Sequence, residues 1–114
     1  MPHFIVDCPE ELLDTHSKEE IIKEVHKTAN TSKLFDQNDI KIRVRTCKVY
    51  SVGNKREPYI HVFSYIMQGR TAEQKALLSK SVVEKLVLLF PDVPNIAMNV
   101  SEFEKATYYN RTML

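Results

Sequence analysis

The sequence predicts a single α+β domain over residues 1–114, in which two β-α-β units form a four-stranded mixed sheet with two helices on one face. Three observations support this fold class. Alternating apolar residues mark strands, two capping signals begin amphipathic helices, and the elements follow the order strand, helix, strand, strand, helix, strand. The composition, with 43% hydrophobic residues and only two glycines, is that of one compact core.

The first β-α-β unit begins with a strand predicted over residues 3–8, where the apolar run FIV is followed by a turn at Pro9. A helix is expected from Ser17, because Ser17 and Glu20 have the S-x-x-E spacing of a capping box. Apolar residues then recur on one helical face, at Ile21, Ile22, Val25 and Ala29. This helix is therefore expected to pack on one side only.

The middle of the chain predicts two further strands. In the stretch DIKIRVRTCKVY, apolar residues alternate with the basic residues Lys41, Arg43 and Arg45, which is typical of a half-buried strand. The run YIHVFSYIM, residues 59–67, is rich in aromatic and β-branched residues and predicts a third strand. Because the stretch SVGNKREP between them contains turn-forming residues, the two strands are expected to form a hairpin.

The second unit ends with a helix and a strand. Thr71 and Gln74 make a capping box at the start of TAEQKALLSKSVVEKLVLLF, and Pro91 and Pro94 end this helix. The segment NIAMNV, with alternating apolar residues, predicts the fourth strand. The tail that begins at Glu102 fits either a short final strand or an arm.

One face of the predicted sheet has no helix to cover it. Right-handed crossovers place both helices on the same face. The third strand nevertheless carries apolar or aromatic residues on both sides, with Tyr59, Phe63, Tyr65 and Met67 on the side opposite Ile60. An uncovered face of this kind is usually buried by association between chains. The chain is therefore expected to form a homo-oligomer.

Charge and cysteine content exclude several classes of protein. Sixteen basic residues against fifteen acidic ones give a net charge of +1, so neither a nucleic acid nor an anionic membrane surface is an expected partner. No apolar run approaches the roughly 20 residues that span a bilayer, and the start has no secretory signal. Cys8 and Cys47 lack metal-ligand spacing and are expected to pack within strands. A cytoplasmic protein without a bound metal fits these features.

The same order of elements also occurs in RNA-recognition modules, whose central strand stacks aromatic residues on bases. The run PYIHVFSY in the third strand has such aromatic residues. It lacks the glycine that the RNA-recognition signature places between a basic residue and the spaced aromatic residues. Together with the net charge of +1, this absence disfavours RNA binding.

Pro2 stands at the head of the first strand, where proline can donate no ladder hydrogen bond. One interpretation is structural, because the first residue of a strand is a position that tolerates proline. The other is chemical, because removal of Met1 would make Pro2 a secondary amine at the chain end, held stiffly by its ring. The position of Pro2 alone leaves both interpretations open.

Three segments resemble the 5-carboxymethyl-2-hydroxymuconate isomerases, a branch of the tautomerase superfamily that acts in homoprotocatechuate breakdown. They are PHFIVDC at the start, IRVR in the second strand and GRTAEQK at the second helix. The first segment is the most specific, whereas the third and the order of elements are shared more widely. The resemblance extends over nearly the whole chain. It implies a tautomerase-like fold and a homotrimer whose sheets face inward.

The resemblance also implies the roles of four residues. Pro2, once Met1 is removed, would be the catalytic general base and acid that turns a dienol into an unsaturated ketone without a cofactor. Arg43 would act with it in catalysis. Arg70 and Arg45 would bind the carboxylates of a small polycarboxylate substrate through their forked guanidinium groups. Whether Arg43 or Arg45 faces the substrate stays open.

The histidines are expected to have other roles. Strand alternation points the side chain of His3 away from the neighbours of Pro2, so His3 is interpreted as structural. His61 is expected either to pack a subunit contact or to line the pocket. His16 and His26 are expected to face solvent at a helix start and on a helix flank.

Three hypotheses about function follow. The leading one is ketonisation of 5-carboxymethyl-2-hydroxymuconate or a related 2-hydroxymuconate-type dienol acid. The second is another activity of the superfamily, on an unsaturated oxo acid or a phenylpyruvate-type enol. The third is a non-enzymatic trimeric binding protein on the same scaffold. The loop SVGNKREP, with Lys55 and Arg56, leaves the choice of substrate open.

Overall fold

The computed structural model describes all 114 residues and has the predicted fold class. The strands and helices, in chain order, are β1 (His3–Pro9), α1 (Lys18–Thr31), β2 (Lys41–Cys47), β3 (Tyr59–Met67), α2 (Ala72–Leu89) and β4 (Asn95–Phe103). A short 3-10 turn, Glu10–Asp14, joins β1 to α1. The four strands form one sheet in the order β2-β1-β3-β4. No helix has the length and apolar character needed to cross a membrane.

The predicted hairpin between the second and third strands is wrong, because β1 lies between them. β1 pairs in parallel with β2 through seven residue pairs and antiparallel with β3 through five. The turn residues do make a turn, since Gly53 and Asn54 have φ values of +58° and +61° inside the Val52 to Lys55 bridge. That turn belongs to the connecting loop and does not bring β2 against β3.

Both helices begin where their capping signals predict. The backbone N–H of Glu20 donates to the side chain of Ser17 at 3.1 Å. At α2 the capping box is complete, because Gln74 N–H donates to Thr71 Oγ1 at 3.1 Å and Thr71 N–H donates to Gln74 Oε1 at 2.9 Å. The second helix ends at Leu89, immediately before Phe90 and Pro91.

The core lies between the two helices and one face of the sheet, as the right-handed crossovers predict. Its members come from β1, α1, β3 and α2, and include Phe4, Val6, Cys8, Ile21, Val25, Ala29, Ile60, Val62, Leu78, Val82 and Leu86. Burying each large aliphatic side chain contributes about 1.5–3 kcal/mol. Burial also raises the pKa of the Cys8 thiol to about 11, so Cys8 is a structural residue in this core.

The face of the sheet opposite the helices remains open in the single chain. Aromatic side chains of β3 lie in its middle, and the basic side chains of β2 lie at one edge, with β1 between the two strands. Beyond β4 the tail forms two 3-10 turns, Lys105–Thr107 and Arg111–Met113, instead of a fifth strand. The tail is held at its start, where Lys105 N–H donates to Gln68 Oε1 and Tyr108 packs on Phe103.

Candidate active site

A cavity of about 130 Å³ opens at the start of β1. Its walls come from the head of β1, the loop between α1 and β2, and the turn between β3 and α2. The lining residues are Met1, Pro2, Leu34, Phe35, Asp36, Asp39, Met67 and Arg70. Two of the four site residues expected from the sequence, Pro2 and Arg70, therefore share one cavity.

The directions of three strands bring Pro2 and Arg70 together. β2 runs parallel to β1, so the residues that precede β2 lie beside the start of β1. β3 runs antiparallel to β1, so the end of β3 and the following Arg70 lie there too. The carbonyl of Pro2 accepts a hydrogen bond from Lys41 N–H at 3.0 Å, which holds this residue although its own nitrogen has no hydrogen to donate.

The chain-terminal amine lies at the mouth of this cavity. In the chain with Met1 present, that amine donates to the carbonyl of Asp39 at 3.0 Å and lies 3.9 Å from Asp39 Oδ2. Partial burial lowers the pKa of the amine, and the positive charge of Lys41 lowers it further, while Asp39 acts in the opposite direction. Partial burial and Lys41 therefore bias the amine of Met1 towards its neutral, basic form.

Arg70 is fixed on two sides of its guanidinium group. Nη1 donates to the carbonyl of Met67 at 3.3 Å, and Nη2 donates to the carbonyl of Leu34. The ring of Phe35 packs against the guanidinium, with its centroid 5.2 Å from Cζ. Two of the five N–H donors of the group are thus used, which leaves three for a ligand in the cavity.

Arg43 and Arg45 do not line the cavity of their own chain. Both lie on the open face of the sheet, because β2 alternates and its apolar residues face the helices. Arg43 Nη1 lies 3.2 Å from His3 Nδ1, and Arg45 is the register partner of Asp7. Within one chain, neither arginine therefore reaches the cavity that contains Pro2.

His3 faces the open side of the sheet, as strand alternation predicts. Its ring packs edge-on against Phe103, with 6.0 Å between the ring centroids. Burial lowers the pKa of His3, and the neighbouring charges of Arg43 and Lys41 lower it further. His3 therefore contacts a predicted site arginine without entering the cavity of Pro2.

The remaining histidines also lie outside the cavity. His61 Nε2 lies 2.7 Å from Asn99 Oδ1 on the open face. His16 and His26 are half-buried and bond to backbone carbonyls, of Leu89 at 2.9 Å and Gln37 at 3.0 Å, so they do not simply face solvent as expected. No three histidine, cysteine or acidic side chains lie close enough together to hold a metal ion.

The loop between α1 and β2 contributes cavity residues that the sequence patterns did not identify. Leu34, Phe35, Asp36 and Asp39 all line the cavity and lie between the two elements. No motif marks them. Parallel pairing of β1 with β2 would have located them, because it places the residues just before β2 beside Pro2.

Solved structures similar to this chain define its fold. A 5-carboxymethyl-2-hydroxymuconate isomerase from Deinococcus radiodurans R1 superposes with a TM-score of 0.83 at 18% identity, over 96% of this chain and 88% of that chain. A macrophage migration inhibitory factor-like protein from Entamoeba histolytica gives 0.74 at 19% identity, over 96% and 94%. A fused 4-OT, described as an asymmetric trimer, gives 0.79 at 12% identity, over 96% and 92%. The fold is that of the tautomerase superfamily.

The sequence identifies the family within this class. The family model for 5-carboxymethyl-2-hydroxymuconate isomerase (CHMI) matches residues 2–113. The chain belongs to this family, which confirms the resemblance found in its three segments. No curated protein matches it significantly by sequence. Family and fold together support an isomerase of the tautomerase type.

Proposed function

We propose that the protein ketonises a 2-hydroxymuconate-type dienol acid, with 5-carboxymethyl-2-hydroxymuconate as its substrate and the amine of Pro2 as general base and acid. The observation that carries this proposal is the shared cavity of Pro2 and Arg70. It combines a chain-end nitrogen, once Met1 is removed, with a fixed guanidinium that has free donors. A base and a carboxylate-binding group side by side suit an acidic enol.

The reaction is a proton transfer within one substrate molecule. The amine of Pro2 takes the proton of the 2-hydroxyl group, and the electrons of that O–H bond form the carbonyl as the conjugated double bonds shift. The protonated amine then returns a proton to a carbon further along the conjugated chain. Atoms and electrons balance without a co-reactant. Partial burial and the charge of Lys41 lower the pKa of the amine of Met1, one residue earlier. Because an α-amine has an ordinary pKa of about 8, a lowering of the same kind at Pro2 would leave the base neutral near physiological pH.

The small size of the cavity supports an assembled site. About 130 Å³ is less than the roughly 300–1,000 Å³ of typical small-molecule sites. A tricarboxylate needs further walls and further cations than one chain supplies. We therefore include in the proposal a homotrimer in which Arg43 and Arg45, on the open face, complete a site together with Pro2 and Arg70. In this role Arg43 would stabilise charge that develops on the 2-oxygen.

Two acidic residues favour a second candidate within the same superfamily. Asp36 and Asp39 line the cavity beside Arg70, so the single chain offers more negative than positive side chains there. Carboxylates at this position repel a polyanion. A phenylpyruvate-type enol, which has one carboxylate and an apolar ring, would avoid this repulsion and contact Phe35 and Met67 instead.

The experiment begins with the mass of the N-terminus of protein purified from its own host, which should lack Met1. Ketonisation is then followed by ultraviolet absorbance with 5-carboxymethyl-2-hydroxymuconate and with the enol of phenylpyruvate. We expect a higher kcat/KM for the first. A higher value for the second would establish the second candidate. Retention of Met1, or turnover of neither enol, would contradict both and support a binding protein on this scaffold.

A further inference from the structure

Phe35 lies where the guanidinium of Arg70 meets the wall of the cavity. The ring centroid of Phe35 is 5.2 Å from Arg70 Cζ, within the range of a cation–π contact. On its other side, the ring of Phe35 packs edge-on against Phe4, with 6.1 Å between centroids and an interplanar angle of 77°. Phe4 is fully buried in the core. The ring of Phe35 therefore contacts the buried core through Phe4 and contacts the guanidinium of Arg70.

The loop that carries Phe35 also holds the guanidinium through the neighbouring residue. The carbonyl of Leu34 accepts a hydrogen bond from Nη2, while the carbonyl of Met67 accepts one from Nη1. These two hydrogen bonds and the contact with the ring of Phe35 together restrain the guanidinium group. Its other three N–H groups make no hydrogen bond within the chain, and Arg70 lines the same cavity as Pro2.

We propose that Phe35 is a positioning residue for Arg70, and that its aromatic ring sets the guanidinium in the orientation that binds a substrate carboxylate next to Pro2. The proposal rests on the proposed function in one respect, since it takes the cavity of Pro2 to be the substrate site. Its specific claim is chemical. The position requires an aromatic ring, and an aliphatic side chain of similar size does not replace it.

The variants that test this claim are Phe35→Leu and Phe35→Met, which keep an apolar side chain, and Phe35→Tyr, which keeps the ring. Phe90→Leu is the matched control. Phe90 is buried, whereas Phe35 is half-buried, and Phe90 packs its ring edge-on against His16 at 5.1 Å. It lies at the opposite end of the 18-residue α2, ~27 Å from Arg70 along the helix. It therefore reports the loss of an aromatic ring without a change at the guanidinium.

Two measurements test how firmly Arg70 is held. The first is the heteronuclear {¹H}–¹⁵N NOE of Arg70 Nε, which reports the order of the guanidinium group and does not depend on the ring current of Phe35. The second is the Kd for succinate, a small dicarboxylate used as the probe, measured by NMR titration. In Phe35→Leu and Phe35→Met this NOE should fall, and succinate should bind roughly 2- to 30-fold more weakly. Phe35→Tyr should restore both properties, and Phe90→Leu should change neither.

Several results would overturn the positioning role. They are an unchanged Nε NOE in Phe35→Leu and Phe35→Met, unchanged succinate binding in both, or no succinate binding to the wild type. Failure of Phe35→Tyr to restore the wild-type values would do the same. Turnover is a separate measurement. In steady-state kinetics, Phe35→Leu and Phe35→Met should raise KM and leave kcat unchanged, because the carboxylate contact is equally strong before and during the reaction. If succinate binding is intact and depends on Phe35 but the enzyme shows no turnover, the proposed function is contradicted and the positioning role of Phe35 is not.

Discussion

Arg70 donates a hydrogen bond to the carbonyl of Leu34, a residue 36 positions earlier in the chain. This bond joins the turn before α2 to the loop before β2, and so closes one wall of the cavity around Pro2. The same side chain thus has a structural contact and free donors for a ligand. Its replacement should affect both stability and substrate binding.

Replacement of Arg70 by alanine should lower kcat/KM by about ten- to a hundredfold, since a lost charged hydrogen bond costs roughly 1.5–3 kcal/mol. Arg70→Lys keeps the positive charge but cannot donate to both carbonyls and a carboxylate in one plane, so it should restore only part of the loss. Steady-state ketonisation kinetics and thermal unfolding measure the two effects. Arg111→Ala, in the exposed tail, is the control. Wild-type values of kcat and KM in Arg70→Ala would show that Arg70 does not contribute to the site.

Replacement of Pro2 by alanine tests the base. Pro2→Ala keeps a primary amine at the processed chain end but loses the rigid ring and the secondary amine. We expect kcat to fall while KM stays close to the wild-type value, because Arg70 still holds the carboxylate. The comparison requires that mass spectrometry first show removal of Met1 from both proteins. A processed Pro2→Ala enzyme with undiminished kcat would show that the ring of Pro2 has no catalytic role.

Local signals predicted the elements well, and non-local pairing explains what they missed. β3 was predicted with its observed bounds, because the run YIHVFSYIM combines strand propensity with turn residues before it and Gly69 after it. Turn chemistry at Gly53 and Asn54 formed a turn but could not specify which strands pair. The pairing is determined by β1, which lies between β2 and β3 and pairs with both strands.

The candidate site was likewise predicted only in part from local sequence signals. Alternation along β2 correctly indicated that Arg43 and Arg45 share one face. It could not indicate that this face is turned away from the cavity of Pro2, because that depends on how the sheet is layered against the helices. The role of Phe35 carried no sequence signal at all, since it arises from a contact between two loops.

A buried hydroxyl group in the core predicts a stabilising substitution. Ser64 is fully buried on the helix-facing side of β3, and its Oγ has no hydrogen-bond partner. An unpaired hydroxyl costs roughly 1–3 kcal/mol on burial, so Ser64→Ala should raise the free energy of unfolding by about 1 kcal/mol or more. Urea unfolding measures the change, with Ser81→Ala on the half-buried side of α2 as control. A loss of stability in Ser64→Ala would indicate that the hydroxyl is paired.

The pKa of His3 predicts a pH dependence. Burial lowers this pKa, and so does the charge of Arg43, so the folded protein binds fewer protons at His3 than the unfolded chain does. The contribution of His3 to the free energy of unfolding is complete above the ordinary pKa of histidine. It is lost as the pH falls through the lowered pKa of His3 in the folded protein. Arg43→Gln should raise the pKa of His3 in an NMR titration, whereas Lys27→Gln on α1 should not. An unchanged pKa in Arg43→Gln would refute the coupling.

The position of Arg43 predicts complementation between chains. Arg43 faces the side of the sheet opposite the cavity, so we expect it to serve the site of a neighbouring chain in a trimer of 13.3 kDa subunits. Light scattering should detect that trimer at micromolar concentration. Pro2→Ala and Arg43→Ala should each have low turnover alone. When the two are unfolded together and refolded at equal amounts, random assembly gives about a quarter of the sites an intact Pro2 and an intact neighbouring Arg43.

Recovery of activity in that mixture therefore separates the two possible arrangements of the site. If Arg43 acted within its own chain, every site would contain one of the two substitutions and the mixture would be no more active than its components. Mixing Pro2→Ala with Arg70→Ala supplies the control, because Pro2 and Arg70 line the same cavity of one chain and should not complement. A stable monomer, or complementation by the control pair instead of the Arg43 pair, would contradict the arrangement inferred from the sheet.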